Sequence, residues 1–210
     1  MENRFQSGQY FFETLIRFLM NDPNVILTVS ARAQRAQDFP QETYCINYHK
    51  SFTRRRNLNV KGAYFHTYFY CDRKGYSGWS EIAESVFDPA SLDLEDASRY
   101  FDEKLSSPYL LTGISKYLQP AFIPDLPETF VFFPMQVPDD KVLDLSYVSQ
   151  SEILQELTQN PRIAVVIKPH PFAVRDHPQA VEDVRALHNP QGSIFVVDGH
   201  LHEIIRRSTA

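Results

Sequence analysis

The segment Arg162-Ile-Ala-Val-Val-Ile-Lys168-Pro169-His170-Pro171 constrains the fold of this chain more than any other. A run rich in β-branched residues ends abruptly in Lys-Pro-His-Pro, which predicts a buried strand. That strand delivers a cation, a histidine and two rigid turn residues to one edge of a sheet. The preceding run, Thr129-Phe-Val-Phe-Phe133, ends comparably in Pro134-Met-Gln136-Val-Pro138-Asp139-Asp140. In open α/β sheets, ligands sit at the carboxyl ends of strands. Two consecutive strands are thus expected to bring polar groups to the same rim.

The pattern around these strands is regular. A strand at 129–135 precedes a helix over 150–159, with Ser149 and Glu152 as a capping box and Val148 and Ile153 as its staple. A strand at 162–168, a helix from Pro178 to Leu187, a strand at 193–197 and a helix starting near His200 follow. Such alternation predicts parallel strands joined by right-handed crossovers. A sheet that stops at Val197 would leave a half-built edge, so association or instability is expected there.

The amino-terminal half is less regular. Gly8–Met20 reads as a helix with Phe11, Leu15, Phe18 and Leu19 on one face, stopped by Asn21-Asp-Pro23. Val25–Val29 reads as a buried strand, 31–61 as irregular and polar, and Ala63–Tyr70 as an aromatic strand. Helices are expected over Trp79–Val86 and Asp96–Leu105, then another begun by Ser107-Pro108 that buries Leu110, Leu111, Ile114 and Leu118. Pro120, Pro124 and Pro127 stiffen the next stretch. The expected division is a lobe at 1–118, a linker at 119–128 and a second lobe at 129–210.

Composition narrows the function classes. At 210 residues and 43% hydrophobic content, the chain can build a substantial core. No apolar run reaches membrane-spanning length, and no signal-peptide pattern opens the chain. Two cysteines, Cys45 and Cys71, argue against a disulfide framework and for a reducing cytoplasm. A net charge of -5 disfavours general nucleic-acid binding. The basic cluster Lys50, Arg54, Arg55, Arg56 and Lys61 is either a solvated loop or a contact to an anionic acceptor or membrane surface.

His170 stands between two prolines on a stiff loop, and Lys168 precedes it by two residues; the pair suits a phosphate, or is an incidental surface turn. Gln136 and Asp140 follow a strand with the spacing Gln-x-x-x-Asp. Such an aspartate serves as nucleophile, general base or sugar ligand, or merely caps a turn; Asp139 competes with it. In Asp72-Arg-Lys-Gly75-Tyr76-Ser77-Gly78-Trp79 the glycines admit unusual backbone angles. Asp72, Ser77 and Trp79 there are candidate substrate contacts, or parts of a tight loop. His200 and His202 lack the companions of a metal site. Walker, dinucleotide and nucleophile-elbow motifs are absent.

The ordered set Gln136-x-x-x-Asp140, Lys168-Pro-His170-Pro171 and Gly199-His-Leu-His202-Glu resembles the bacterial capsule polysaccharide biosynthesis proteins, which include β-Kdo glycosyltransferases. The segment Asp72–Glu81 also looks like one found upstream in that family, and the resemblance is best from about Asp72 to Ala210. It implies a two-lobed GT-B-like α/β fold with Rossmann-like parallel sheets. It further implies a CMP-activated sugar as donor substrate, a glycan or glycolipid acceptor, and no cofactor or obligatory metal. By the same resemblance, His170 and Pro171 contact the nucleotide phosphate, beside the nucleotide-binding candidate Lys168, Asp140 is catalytic and the candidate nucleophile of a retaining transfer, and Gln136 is its companion. The expected location is cytoplasmic, peripheral to the inner membrane face or a capsule-assembly complex. One departure stands out: family members continue past Ser-Thr-Ala into a Ser/Thr-rich loop and further helices, so the second lobe is expected to be truncated. The alternatives are a transferase with another nucleotide-sugar donor and a non-catalytic sugar- or nucleotide-binding or assembly module.

Overall fold

The computed structural model describes residues 6–28, 38–49, 53–65, 68–114, 117, 119–122, 124–159 and 162–209. It is a mixed α/β protein of two compact units, Met1–Tyr109 with Ile114–Lys116, and Leu110–Gly113 with Tyr117–Ala210. Each unit carries a three-stranded sheet that contains parallel pairing.

The second unit holds β4 (Phe130–Pro134), α4 (Gln150–Gln159), β5 (Ala164–Lys168), α5 (Pro171–Asp176), α6 (Pro178–Arg185), β6 (Ile194–Val196) and α7 (Leu201–Arg207). Its sheet runs β4-β5-β6, all parallel, with Pro134 opposite Lys168 and Ile167 opposite Val196. Strand alternation assigns the core. Val166 and Phe130 pack with Leu126 and Ile204 of α7. Val165 and Ile167 pack with Val184 of α6, and Leu154 and Leu157 of α4 lie against them. The sheet is therefore covered on both faces, which is why β5 reads as an unbroken apolar run instead of an alternating one.

Two helix starts show how local chemistry positions these layers. Ser149 Oγ accepts from Glu152 N at 3.2 Å, and Glu152 Oε2 accepts from Ser149 N at 2.8 Å, forming the expected box. Ser149→Ala is expected to lower unfolding stability by about 1 kcal/mol in a urea titration. The helix α5 was not anticipated; Pro171 occupies its first position and His170 Nδ1 accepts from Phe172 N at 3.1 Å.

The proline-rich stretch packs on the second unit. Phe122 O accepts from His200 N, Gln119 Oε1 accepts from Leu201 N, and Leu126 O accepts from Arg207 Nη2. The sheet ends at β6, as expected, but the outward amides of that edge have partners. Val197 N donates inward to Ile167 O, so the amides of Ile194 and Val196 face outward, and both are capped, by Asn189 O and by His188 Nδ1 at 3.0 Å. The chain blunts its own edge strand, which removes the main ground for edge pairing.

The first unit contains α1 (Gln6–Met20), β1 (Cys45–Tyr48), β2 (Asn57–Gly62), β3 (Phe69–Asp72), α2 (Glu81–Glu84) and α3 (Leu94–Tyr100). Its sheet is mixed, since β2 is parallel to β1 and antiparallel to β3. Phe11 of α1 stacks on Phe69 with ring centres 4.5 Å apart. Several expectations fail here. Residues 25–28 form no strand: Val25 N donates to Asp22 O in a turn, no strand among the described residues pairs with them, and Ile26 is 94% exposed; Val29 lies outside the described residues. Of the expected aromatic strand 63–70, only Phe69 and Tyr70 pair with β2 among the described residues; Ala63 N donates to Tyr68 O ahead of them, and His66 and Thr67 lie outside the described residues. The true centre strand is β2, buried through Val60 and Asn59 although its sequence reads as polar. Asn57 and Asn59 each donate a side-chain amide N–H to Arg73 O.

Ser107-Pro108 starts no new helix. A π-helix continues from Phe101 to Leu110 through Pro108, burying Tyr109 against Phe65 at 5.1 Å between ring centres. Leu111, expected in the core, is 76% exposed, and Leu118 lies outside the described residues. No helix among the described residues is long and apolar enough to cross a membrane.

Candidate functional site

The carboxyl rim of β4-β5-β6 gathers most of the residues singled out in the second unit. Met135 N donates to Lys168 O, extending the β4–β5 ladder past the strand end. That aligns the loop 136–140 with Lys168-Pro-His-Pro, while 198–202 follows from β6.

Lys168 is 4% exposed at the last position of β5. Its ammonium lies 3.7 Å from Asp198 Oδ1. Burial pushes its pKa below the usual lysine range, and Asp198 opposes that only in part. Asp198 Oδ2 also receives Arg185 Nη2 at 3.3 Å, so one carboxylate serves two cations. Neither Asp198 nor Arg185 was singled out as a ligand from sequence, because Asp198-Gly199 reads as an ordinary turn.

His170 opens the helix that follows it. Its Nδ1 caps α5, and its ring meets Tyr117 edge-on at 4.9 Å. Pro171 is the first residue of that helix. Gln136 is clasped through its backbone, its N donating to Gln150 Oε1 at 2.6 Å, and its side chain is exposed.

The two aspartates separate clearly. Asp140 caps the turn Lys141–Leu145, with Oδ1 accepting from Val142 N at 3.1 Å. Asp139 is exposed and lies 3.0 Å from His177 Nε2, at the junction of α5 and α6. That pairing ties the loop after β4 to the end of α5. His177 carries no sequence signal beyond being a histidine before a proline.

His202 is buried in the first turn of α7, where burial, then the neighbouring His200, holds its imidazole below the usual histidine range against a weaker pull from Glu203. Its ring sits 5.5 Å from that of His200. Among the described residues, no three His, Cys, Asp or Glu side chains are gathered as a metal site.

The candidates in the first unit form a self-contained loop. Asp72 is buried; its Oδ1 accepts from Lys74 N at 2.7 Å and Gly75 N at 3.0 Å, and its Oδ2 accepts from Glu81 N at 2.9 Å. Burial alone raises its pKa, but the backbone bonds from Gly75, Lys74, Glu81 and Ile82 outweigh it and hold the carboxyl below its usual range. This carboxylate is committed to its own loop. The unusual backbone angle expected of Gly75 or Gly78 falls on Ser77, at φ 52°. Trp79 meets Tyr76 edge-on at 5.4 Å, and Lys61 Nζ lies 4.1 Å above the Tyr76 ring. Of the basic cluster, Arg54 donates to the carbonyls of Phe39 and Pro40, and Arg56 to that of Glu42. These two arginines hold the 39–43 loop; Lys50 lies outside the described residues.

No protein-family model, no curated protein and no solved structure matches the chain.

Proposed function

We propose that the second unit is the nucleotide-sugar-binding lobe of a glycosyltransferase of GT-B type, acting on a CMP-activated sugar such as Kdo and a glycan or glycolipid acceptor. One observation carries the reading. A parallel sheet covered on both faces presents Lys168 and His170 at its carboxyl rim, beside the loop bearing Gln136 and Asp140. A desolvated lysine and a pre-oriented imidazole on a proline-stiffened turn favour a phosphate that gathers charge as it leaves. A carboxylate close by stabilises an oxocarbenium-like carbon. Transfer needs no cofactor in this scheme, since CMP itself is the leaving group.

The first test is a thermal-shift titration with CMP, against GMP as control. A ligand that binds only the folded state raises the melting temperature by mass action. A CMP-dependent rise is expected, lost in Lys168→Met. Methionine fills the buried site without its charge, and Asp198 is exposed and keeps Arg185, so that variant is expected to fold. A rise that survives the loss of the Lys168 charge would remove the phosphate role. His170→Asn is the cleaner second variant, because asparagine keeps the cap on α5 and removes the imidazole.

A second reading, nucleotide binding without transfer, draws on the employment of both aspartates, Asp140 as a cap and Asp139 on His177. Asp140→Asn separates the two. Asparagine still accepts from Val142 N but cannot act as a nucleophile. If Asp140 is catalytic, transfer falls at least a hundredfold while the melting temperature holds.

A further inference from the structure

Beside Pro169, on the outer side of β6, lies a cavity of about 260 Å³ lined by Pro169, Arg185, His188, Val196, Val197 and Asp198. It is below the 300–1,000 Å³ of sites that enclose whole drug-sized ligands, so it suits one ring and not a nucleotide. Its walls divide by chemistry: Pro169, Val196 and Val197 supply apolar surface, and the other three supply polar groups.

The directions of those polar groups are determined. His188 Nδ1 accepts from Val196 N at 3.0 Å, so the neutral ring carries its proton on Nε2. Arg185 spends Nη1 on Glu182 at 2.6 Å and Nη2 on Asp198 at 3.3 Å, leaving further N–H donors. Asp198 accepts from Arg185 and forms a longer ion pair with Lys168, which leaves lone-pair positions on its carboxylate. The cavity therefore offers a carboxylate acceptor beside guanidinium and imidazole donors.

We infer that this cavity seats the base of the nucleotide and selects a ring with an exocyclic amine next to a ring acceptor. Cytosine has that edge: its amine donates to Asp198, and its ring nitrogen and carbonyl accept from Arg185. A uracil ring would turn a carbonyl oxygen towards the Asp198 carboxylate, where two acceptors repel. Pro169 joins the cavity to Lys168 on one side and His170 on the other, so base and phosphate would fall on adjoining parts of one rim. The inference rests on the proposal that this rim binds a nucleotide; it adds the residues that choose which one.

Calorimetric titration of the whole chain with CMP and UMP tests it. CMP is expected to bind roughly tenfold tighter than UMP, the difference made by about one hydrogen bond. In Asp198→Asn the preference should fall to within about twofold, because an amide offers uracil a donor. Equal affinities in the unaltered chain, or a preference untouched by Asp198→Asn, would overturn the base site and leave the phosphate reading intact. Failure of CMP, UMP and ribose 5-phosphate alike to bind would remove both. Since Asp198→Asn also withdraws a partner from Lys168, amide resonances of the unaltered chain provide a second readout. Those of Val196, Val197 and Asp198 are expected to shift with CMP and to stay in place with ribose 5-phosphate, which lacks the ring. Equal shifts with both ligands would count against the inference.

Discussion

Asp72→Ala should cost the first unit about 3–5 kcal/mol, the loss of several charge-assisted bonds to backbone donors that no water readily replaces. The carboxylate gathers the amides of Lys74, Gly75 and Glu81, and so ties the end of β3 to the start of α2. Trp79, the single tryptophan of the chain, sits inside that loop, so its fluorescence in a urea titration reports the change directly. Asp72→Asn should cost about half as much. The amide oxygen can keep Lys74 and Gly75, but the amide nitrogen then faces the Glu81 N–H, donor against donor. Equal losses for the two variants would mean that the second acceptor and the charge, not the shape of the side chain, matter there.

The same carboxylate fixes a pH dependence. Its folded-state pKa lies below the unfolded value. The stabilisation is therefore complete above the unfolded pKa, near 4, and is lost as pH falls through the folded value. The tryptophan-reported urea midpoint should decline below about pH 4 in the unaltered chain, with a shallower decline in Asp72→Asn, which has no charge to lose. Parallel curves would show that other carboxylates govern the acid transition.

How far the fold was legible depended on where the burial signal lay. In β4, α4, β5 and α6 the apolar residues mark the buried faces themselves, and the turns carry prolines and a capping box, so local and tertiary preferences agree. In the first unit they conflict. The centre strand Asn57–Gly62 alternates asparagine with leucine and valine, and its burial depends on Arg73 O, a partner more than a dozen residues away. No window around β2 contains that partner. The aromatic run 63–70 advertised a strand, yet among its described residues only Phe69 and Tyr70 pair with β2. Ser107-Pro108 carried a genuine helix-start signature that lost to the burial of Tyr109.

The candidate site was legible to the same degree. Strand-end logic placed Lys168, His170 and Gln136 on the rim, because a motif contiguous with a strand inherits that strand's position. It could not separate Asp139 from Asp140, whose difference comes from Val142 N and His177. It also passed over Arg185 and His188, which reach the rim from α6 and the turn after it. Histidine and arginine on a helix carry no mark of the strand they will cover.

Gly199→Ala is expected to be the most damaging single-methyl addition at the rim. A Cβ there would stand 2.3 Å from Pro124 Cδ, 2.7 Å from its Cγ and 3.4 Å from Ile204 Cδ1. The proline ring cannot rotate aside, so the backbone of one segment has to move, at about 2–3 kcal/mol. By contrast, a Cβ at Gly192 meets the Asn189 side chain at 2.7 Å, which can swing away, so Gly192→Ala should cost less. The displacement at Gly199 falls on the residues that hold the rim, since His200 N and Leu201 N bond to Phe122 O and Gln119 Oε1. Gly199→Ala should therefore also weaken any CMP-dependent rise in melting temperature. A double-mutant cycle with Pro124→Ala isolates the cause. Removing Cγ and Cδ takes away the closest contacts, so Gly199→Ala should cost much less in that background, with a favourable coupling of about 1 kcal/mol or more. Additive losses would place the damage elsewhere than at Pro124. They would also undo the account of the proline-rich stretch as the wall against which the 199–202 turn is held.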